Sequence, residues 1–262
     1  MASLQHIMEK KTMNGAISEF GRDEVIARVN AYAGRLKIPA RLHIEHVCKV
    51  CCDNPDLAPS INGTKKRNLL SPAQCIEQWV SKFFHGYNER ISQRQSKMPG
   101  TIPDDAVSII IKAGLPKLTT KEANSVMYAH RLGMSAENIL GLLLEEFLFK
   151  KLSPFGWAMA WGETVKSVDF CNADGCLLQI KNRSNSENSS SSKIREGKPI
   201  EKWFRVNATN GRYEWEKLTN LIGCSIPNLD ERSFQDFIQF TLQENPQALA
   251  IEQANPWLDF KN

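Results

Sequence analysis

The sequence predicts an α/β protein in which a mixed central β-sheet is flanked by helices, with a helical region ahead of it. Three observations carry this expectation. Apolar residues recur at helical spacing through the first half of the chain. The stretch AENILGLLLEEFLFKKL (136–152) is apolar around most of a helical circumference and should be buried. After it, the runs WAMAWGETVKSVDF and CLLQI close around NADG (172–175), a hairpin turn signal. A helix, a strand pair and further helices in that order indicate an α/β core and argue against an all-α one.

Taken in order, the N-terminal MASLQHIMEKK lacks the apolar centre of a signal peptide, and no apolar run approaches the roughly 18 residues that span a bilayer. A cytoplasmic protein without a membrane segment is expected. DEVIARVNAYAGRLKI places Val25, Ile26, Val29, Tyr32 and Leu36 on one helical face. SPAQCIEQWVSKFFHGYNERISQ starts a helix with Ser71 as N-cap and Pro72 at the first helical position. Loops rich in Asp, Asn, Pro and Gly (53–64 and 98–105) separate these helices, and GTKKRN is basic enough to meet phosphate. Ser135 is expected to cap the 136–152 helix and Pro154 to follow its end. KPIEKWFRV has a helical or mixed pattern, and ERSFQDFIQFTLQ is a late amphipathic helix. The expected division is a helical region over 1–130 and a core over 131–262 that includes a distinct segment at 182–205.

Composition narrows the function. Apolar residues make up 42% of the 262, enough for a real core. Seven scattered cysteines are most simply free thiols in a reducing compartment. His43, His46, Cys48, Cys51 and Cys52 crowd one helix, a poor tetrahedral arrangement without a second ligand pair, so packed thiols are expected there and not zinc. The net charge of +4 is unevenly placed: residues 1–135 hold 19 Lys and Arg against 12 acids, and 181–205 hold seven against three. A basic island beside an acid-bearing hairpin suits a polyanionic partner.

Chemistry concentrates in that hairpin. Asp169 ends the first expected strand, and Gln179 and Lys181, two apart on the second, share one face of the sheet. A carboxylate and an amide oxygen on adjoining strands can share a hard divalent cation such as Mg2+. A lysine beside them can orient a water or neutralise charge developing on a phosphate. The Ser/Asn tract that follows is either a linker or a DNA-reading loop. Arg183, Asn185, Ser186, Glu187, Asn188, Lys193 and Arg195 offer the donors and acceptors that read base edges and hold phosphates.

The pattern Asp169…Gln179-Ile-Lys181 resembles the PD-(D/E)XK nuclease signature in its Gln-x-Lys form. Those families often carry an upstream helix with a glycine, three residues and a glutamate, matched here by Gly141-Leu-Leu-Leu-Glu145, with Leu148, Leu152 and Gly156-Trp157 behind it. More narrowly, Trp161 to Arg205 is similar to the SinI-type restriction endonucleases. The resemblance implies a restriction-endonuclease-like core and metal-dependent cleavage of double-stranded DNA at a site of the form GGWCC. It also implies a cognate DNA methyltransferase acting on that site. A metal set of Asp169, Gln179 and Glu145 follows from it, with Lys181 as the fourth catalytic residue. Val168 stands where the signature has proline, and Gln179 where an acid is usual, which removes one negative charge. Glu145, or else Glu163, restores that charge, whereas Glu146 is accounted for by a helical pair with Lys150. A short palindromic site implies a two-fold homodimer. Two other readings stay open from the sequence: a repair or structure-specific nuclease of the same fold, and a non-enzymatic DNA-binding regulator.

Overall fold

The computed structural model describes residues 13–59, 70–98, 100–184, 197 and 199–260. These fall into two units: one drawn from residues 1–89 and 145–234, the other from 90–144 and 235–262. Among the described residues, no helix is long and apolar enough to cross a membrane.

The first unit opens with helices α1 (Met13–Phe20), α2 (Arg22–Arg35), α3 (Ile44–Asp53) and α4 (Pro72–Asn88). The face expected on α2 is the one it buries, through Val25, Val29 and Ala33. At α4 the expected cap is present as a reciprocal pair. The Ser71 hydroxyl accepts from the Gln74 N–H at 3.3 Å, and the Gln74 side chain accepts from the Ser71 N–H at 2.9 Å. Two of the otherwise orphaned donors at the helix start are thereby satisfied. The GTKKRN loop lies outside the described residues.

Helix α5 (Asp105–Gly114) belongs to the second unit, and α6 (Thr120–Leu152) runs from the second unit into the first. The start of α6 departs from expectation by four turns. Its cap is Thr119, whose hydroxyl accepts from the Glu122 N–H at 3.2 Å while the Glu122 carboxylate accepts from the Thr119 N–H at 2.7 Å. Ser135 lies inside the helix, where its hydroxyl donates to the carbonyl of Ala250 at 2.8 Å. A serine that finds a tertiary acceptor does not have to end a helix. The last turns are buried as expected, with Leu143, Leu144, Phe147, Leu148, Phe149 and Leu152 in the core. Pro154 follows in a 3₁₀ turn.

Among the described residues, four strands form one sheet in the order β1 (Ala158–Met159), β2 (Phe170–Cys171), β3 (Leu177–Arg183), β4 (Ile200–Val206). β1–β2 and β2–β3 are antiparallel and β3–β4 is parallel, so the sheet is mixed as expected. The single strand expected across WAMAWGETVKSVDF is two short ones, because Trp161–Val168 leaves the sheet as a turn with left-handed backbone at Gly162 and Glu163. NADG makes the expected hairpin: the Asn172 side chain accepts from the N–H groups of Asp174 and Cys176, and Gly175 takes φ +82°. Within KPIEKWFRV, Ile200–Val206 is the strand β4 and not a helix. Its alternation sets Glu201, Trp203 and Arg205 on one face and Lys202, Phe204 and Val206 on the other.

Helices α7 (Trp215–Ile222) and α8 (Glu231–Glu244) follow the sheet, the latter matching the amphipathic helix expected of ERSFQDFIQFTLQ. Trp203 packs on Trp215 at 5.2 Å between ring centroids, and Phe147 lies 5.8 Å from Trp215 and 5.4 Å from Phe234. The buried Arg205 enters this cluster between Asn182 Oδ1 at 2.9 Å and Glu231 Oε1 at 2.6 Å. Glu231 also accepts from the Trp215 indole at 3.0 Å, so the buried charges are paired and hydrogen-bonded. In the second unit, Arg131 pairs with Glu252, and the Asn245 amide donates to the carbonyls of Ile91 and Arg94.

Candidate active site

Asp169 stands one residue before β2, at the start of that strand and not at the end of a longer one. Continuing the register from Phe170↔Leu178 brings it level with Gln179. Its Oδ2 accepts from the backbone N–H of Ile180 at 2.7 Å, which fixes the carboxylate against β3 and leaves Oδ1 for another partner. Burial pushes the Asp169 carboxyl up from 3.8 to about 6. The Ile180 N–H and the Lys181 charge pull the other way, and the charge of Glu163 adds to the rise. The site therefore brings together Asp169, Lys181 and Glu163 electrostatically, with Gln179 beside them on the strand.

Gln179 is only 3% exposed, while Lys181 is half-buried and Arg183, at the strand's end, is exposed. Their spacing of two puts all three on one face of β3. Across the parallel ladder, Lys202 pairs with Gln179 and Phe204 with Lys181, so a second cation and an aromatic ring join the same face. Reading KPIEKWFRV as helical or mixed hides these two residues; a strand assignment would have aligned them. A cavity of about 520 Å³ runs between β4 and α7, lined by Ser184, Lys202, Phe204, Asn207 and Lys217 among others. Ser184 anchors the start of the Ser/Asn tract by accepting from the Ala208 N–H at 2.9 Å. Asn185, Ser186, Glu187, Asn188, Lys193 and Arg195 lie outside the described residues.

The turn that carries Glu163 is held by the N-terminal helices. The Thr164 carbonyl accepts from the Trp79 indole at 3.0 Å and from the Cys51 thiol at 3.4 Å, and the Lys166 N–H donates to the Leu57 carbonyl at 2.8 Å. Gly86 of α4 meets Gly162 backbone to backbone: a Cβ on Gly86 would lie 2.3 Å from the Gly162 nitrogen. Glycine is required at both positions, for the close approach and, at Gly162, for φ +69° as well. Cys48, Cys51 and Cys52 are buried in α3, and burial pushes the Cys51 thiol up, as expected of packed thiols.

Glu145 is half-buried in the last third of α6. Its neighbour Glu146 makes the expected pair with Lys150 at 3.3 Å, but its carboxylate is only 1% exposed, so the pair is no surface decoration. Among the described residues, no three His, Cys, Asp or Glu side chains form a ready metal cluster. The oxygens that could hold a cation there are of mixed kind: the second oxygen of Asp169, the amide oxygen of Gln179 beside it on the strand, and a glutamate. Hard oxygen donors of this kind fit a divalent cation such as Mg2+.

The mixed sheet that holds an acid level with a Gln-x-Lys strand has the layout of a restriction-endonuclease-like core. The model of the SinI restriction endonuclease family matches residues 37–244, and the chain belongs to that family, which makes it a site-specific deoxyribonuclease. The chain is 36% identical over 198 residues to the type II restriction enzyme SinI of Salmonella infantis, covering 74% of this chain and 80% of that enzyme. It is also 36% identical over 190 residues to the type II restriction enzyme Eco47I of Escherichia coli, covering 71% and 80%.

Proposed function

We propose that this chain is a type II restriction endonuclease that hydrolyses phosphodiester bonds of double-stranded DNA at a short palindromic site of the form GGWCC. The observation that carries the proposal is the Asp169 carboxylate, pinned by the Ile180 N–H and level with Gln179, with Lys181 on the same face. Asp169 and Gln179 would hold Mg2+, with Glu145, or else Glu163, as the third donor. When bound, the cation supplies Lewis-acid stabilisation of phosphate charge and acidifies water. Lys181 orients the attacking water and balances charge on the phosphate. The charge of Glu163 contributes to the rise of the Asp169 carboxyl, which supports Glu163 as the alternative to Glu145.

The remaining parts of the proposal rest on chemistry and family. Lys202 and Phe204, next to the Gln179–Lys181 pair, line the cavity that takes the DNA strand beside the scissile phosphate, the lysine for backbone charge and the ring for stacking. Arg183, Asn185, Ser186, Glu187, Asn188, Lys193 and Arg195 read or hold the site, and the helices of residues 1–130 contribute DNA contact and dimerisation. The enzyme acts as a homodimer in the cytoplasm, alongside a methyltransferase that protects the same site.

The experiment is direct. The purified protein is incubated with plasmid DNA and Mg2+, and the fragment ends are sequenced. Ends at GGWCC, lost on chelation, are the expected result. Cleavage without sequence preference, or at branched DNA only, defeats the reading.

A further inference from the structure

The cavity between β4 and α7 is larger and more apolar than a contact with DNA backbone requires. A strand within a duplex presents its phosphates and the edges of its bases, while the ring faces stay stacked. Holding phosphates takes cations on a surface and no enclosed space. This cavity measures about 520 Å³, within the roughly 300–1,000 Å³ of pockets that enclose a small molecule. Trp203, Phe204 and Leu221 give it apolar walls, and Leu221 is 37% exposed although its side chain is large and apolar. Lys217, Asn220 and Leu221, spaced three and four apart, face it together from α7. Lys202 lines it from β4, with its ammonium 4.9 Å from the Phe204 ring centroid.

Position ties the cavity to the candidate active site. Lys202 lies opposite Gln179 and Phe204 opposite Lys181, on strands that stand about 4.8 Å apart. A phosphate at Lys181 therefore has its own nucleotide within reach of Phe204. We propose that this cavity receives one base of the bound DNA, the base next to the scissile phosphate, turned out of the duplex stack. The inference rests on the duplex cleavage proposed above. Phe204 and Leu221 take the ring faces of the base, and the Asn220 amide offers a donor and an acceptor to its pairing edge. Lys202 and Lys217 hold the flanking phosphates. Turning out a base breaks its pair and its stacking, and ring contacts with the protein offset that cost.

Binding of the full chain to duplexes, with Ca2+ in place of Mg2+, tests this. The cut position is mapped first, and one mismatched pair is then placed at each position of the site in turn. A mismatched pair ordinarily weakens specific binding. At the turned-out position it is expected to tighten binding about tenfold, because no pair has to be broken there. A fluorescent purine at that position is expected to brighten severalfold on binding, since leaving the stack relieves its quenching. Leu221→Trp fills the cavity and is expected to abolish both signals, while circular dichroism and melting stay those of a folded chain. Asn220→Trp, at an exposed position on the same helix, decides the matter if the first variant does not fold. A parent that cuts at its site but loses affinity with every mismatch overturns the base pocket, as do signals that survive in the filled variants. Either result leaves the cleavage proposal standing. A parent that binds its site no better than a scrambled duplex, and cuts neither, overturns both.

Discussion

Replacing Asp169 by asparagine separates what the carboxylate does for the reaction from what it does to the fold. Asparagine keeps an oxygen to accept the Ile180 N–H, which Asp169 now accepts at 2.7 Å, while the charge is lost and an amide NH2 replaces the second carboxylate oxygen. The folded carboxyl titrates at about 6 against 3.8 in the open chain, so folding favours the protonated form. Below 3.8 both states are protonated and the charge costs nothing. Between 3.8 and 6 the penalty grows, and above 6 it is complete. At about 1.36 kcal/mol for each pH unit, the metal-free parent at pH 8 carries a burden on the order of 3 kcal/mol. Asp169→Asn removes it. In chelator, the variant is expected to melt above the parent at pH 8, by several degrees at roughly 2–4 °C per kcal/mol, and to melt with it near pH 4. Cleavage with Mg2+ is expected to vanish. Thermal melts at the two pH values and a plasmid assay measure all three quantities. A variant that melts at or below the parent at pH 8 refutes the electrostatic argument, and one that still cuts refutes the site.

Lys181→Ala is expected to abolish cleavage without lowering the melting temperature appreciably, a loss of at least a hundredfold in rate corresponding to about 3 kcal/mol of barrier. Near-parent cleavage rates exclude its role. Gln179→Glu is expected to remain active with Mg2+, since a carboxylate oxygen takes the place of the amide oxygen; a folded but inactive variant argues that Gln179 acts through hydrogen bonds instead. Gly86→Ala forces a methyl group against the Gly162 backbone and is expected to destabilise the fold by about 1–3 kcal/mol and to slow cleavage, as measured by urea unfolding and initial rates. Changing Asn185, Glu187, Lys193 or Arg195 to alanine is expected to lower the ratio of specific to random DNA binding about five- to 150-fold for each base-reading side chain removed, as titration in Ca2+ measures it. Four unchanged ratios, with unchanged salt slopes, make the tract a linker.

Where a signal is local, the sequence displays it. The Ser71–Pro72 start of α4 and the Asn172–Gly175 turn depend on side chains and backbone within a few residues, and the shared face of Gln179 and Lys181 follows from strand periodicity alone. Elements that answer to distant partners are harder to see. Ser135 has the look of a cap until the Ala250 carbonyl gives its hydroxyl another acceptor, while the true cap at Thr119 and Glu122 stands four turns upstream. β4 hides because neither of its faces is plainly apolar: Lys202 lies on the same side as Gln179 and Lys181, and Arg205 is buried only by virtue of Glu231 and Asn182. Glu163 acts on the Asp169 charge from a turn that α3 and α4 hold in position, and no spacing within 161–181 encodes that.

The contact between Gly86 and Gly162 has a bearing on descent. Exposed residues that touch DNA can be exchanged one at a time, each step leaving a working enzyme with slightly altered preference. The glycine pair permits no such walk, because any side chain at either position meets backbone on the opposite segment. A side chain at either glycine is therefore admissible only if the N-terminal helices and the turn bearing Glu163 shift together. A graft of foreign helices onto this sheet therefore has to supply a glycine at the place of Gly86 and the same backbone path at Lys82, against which Gly162 packs.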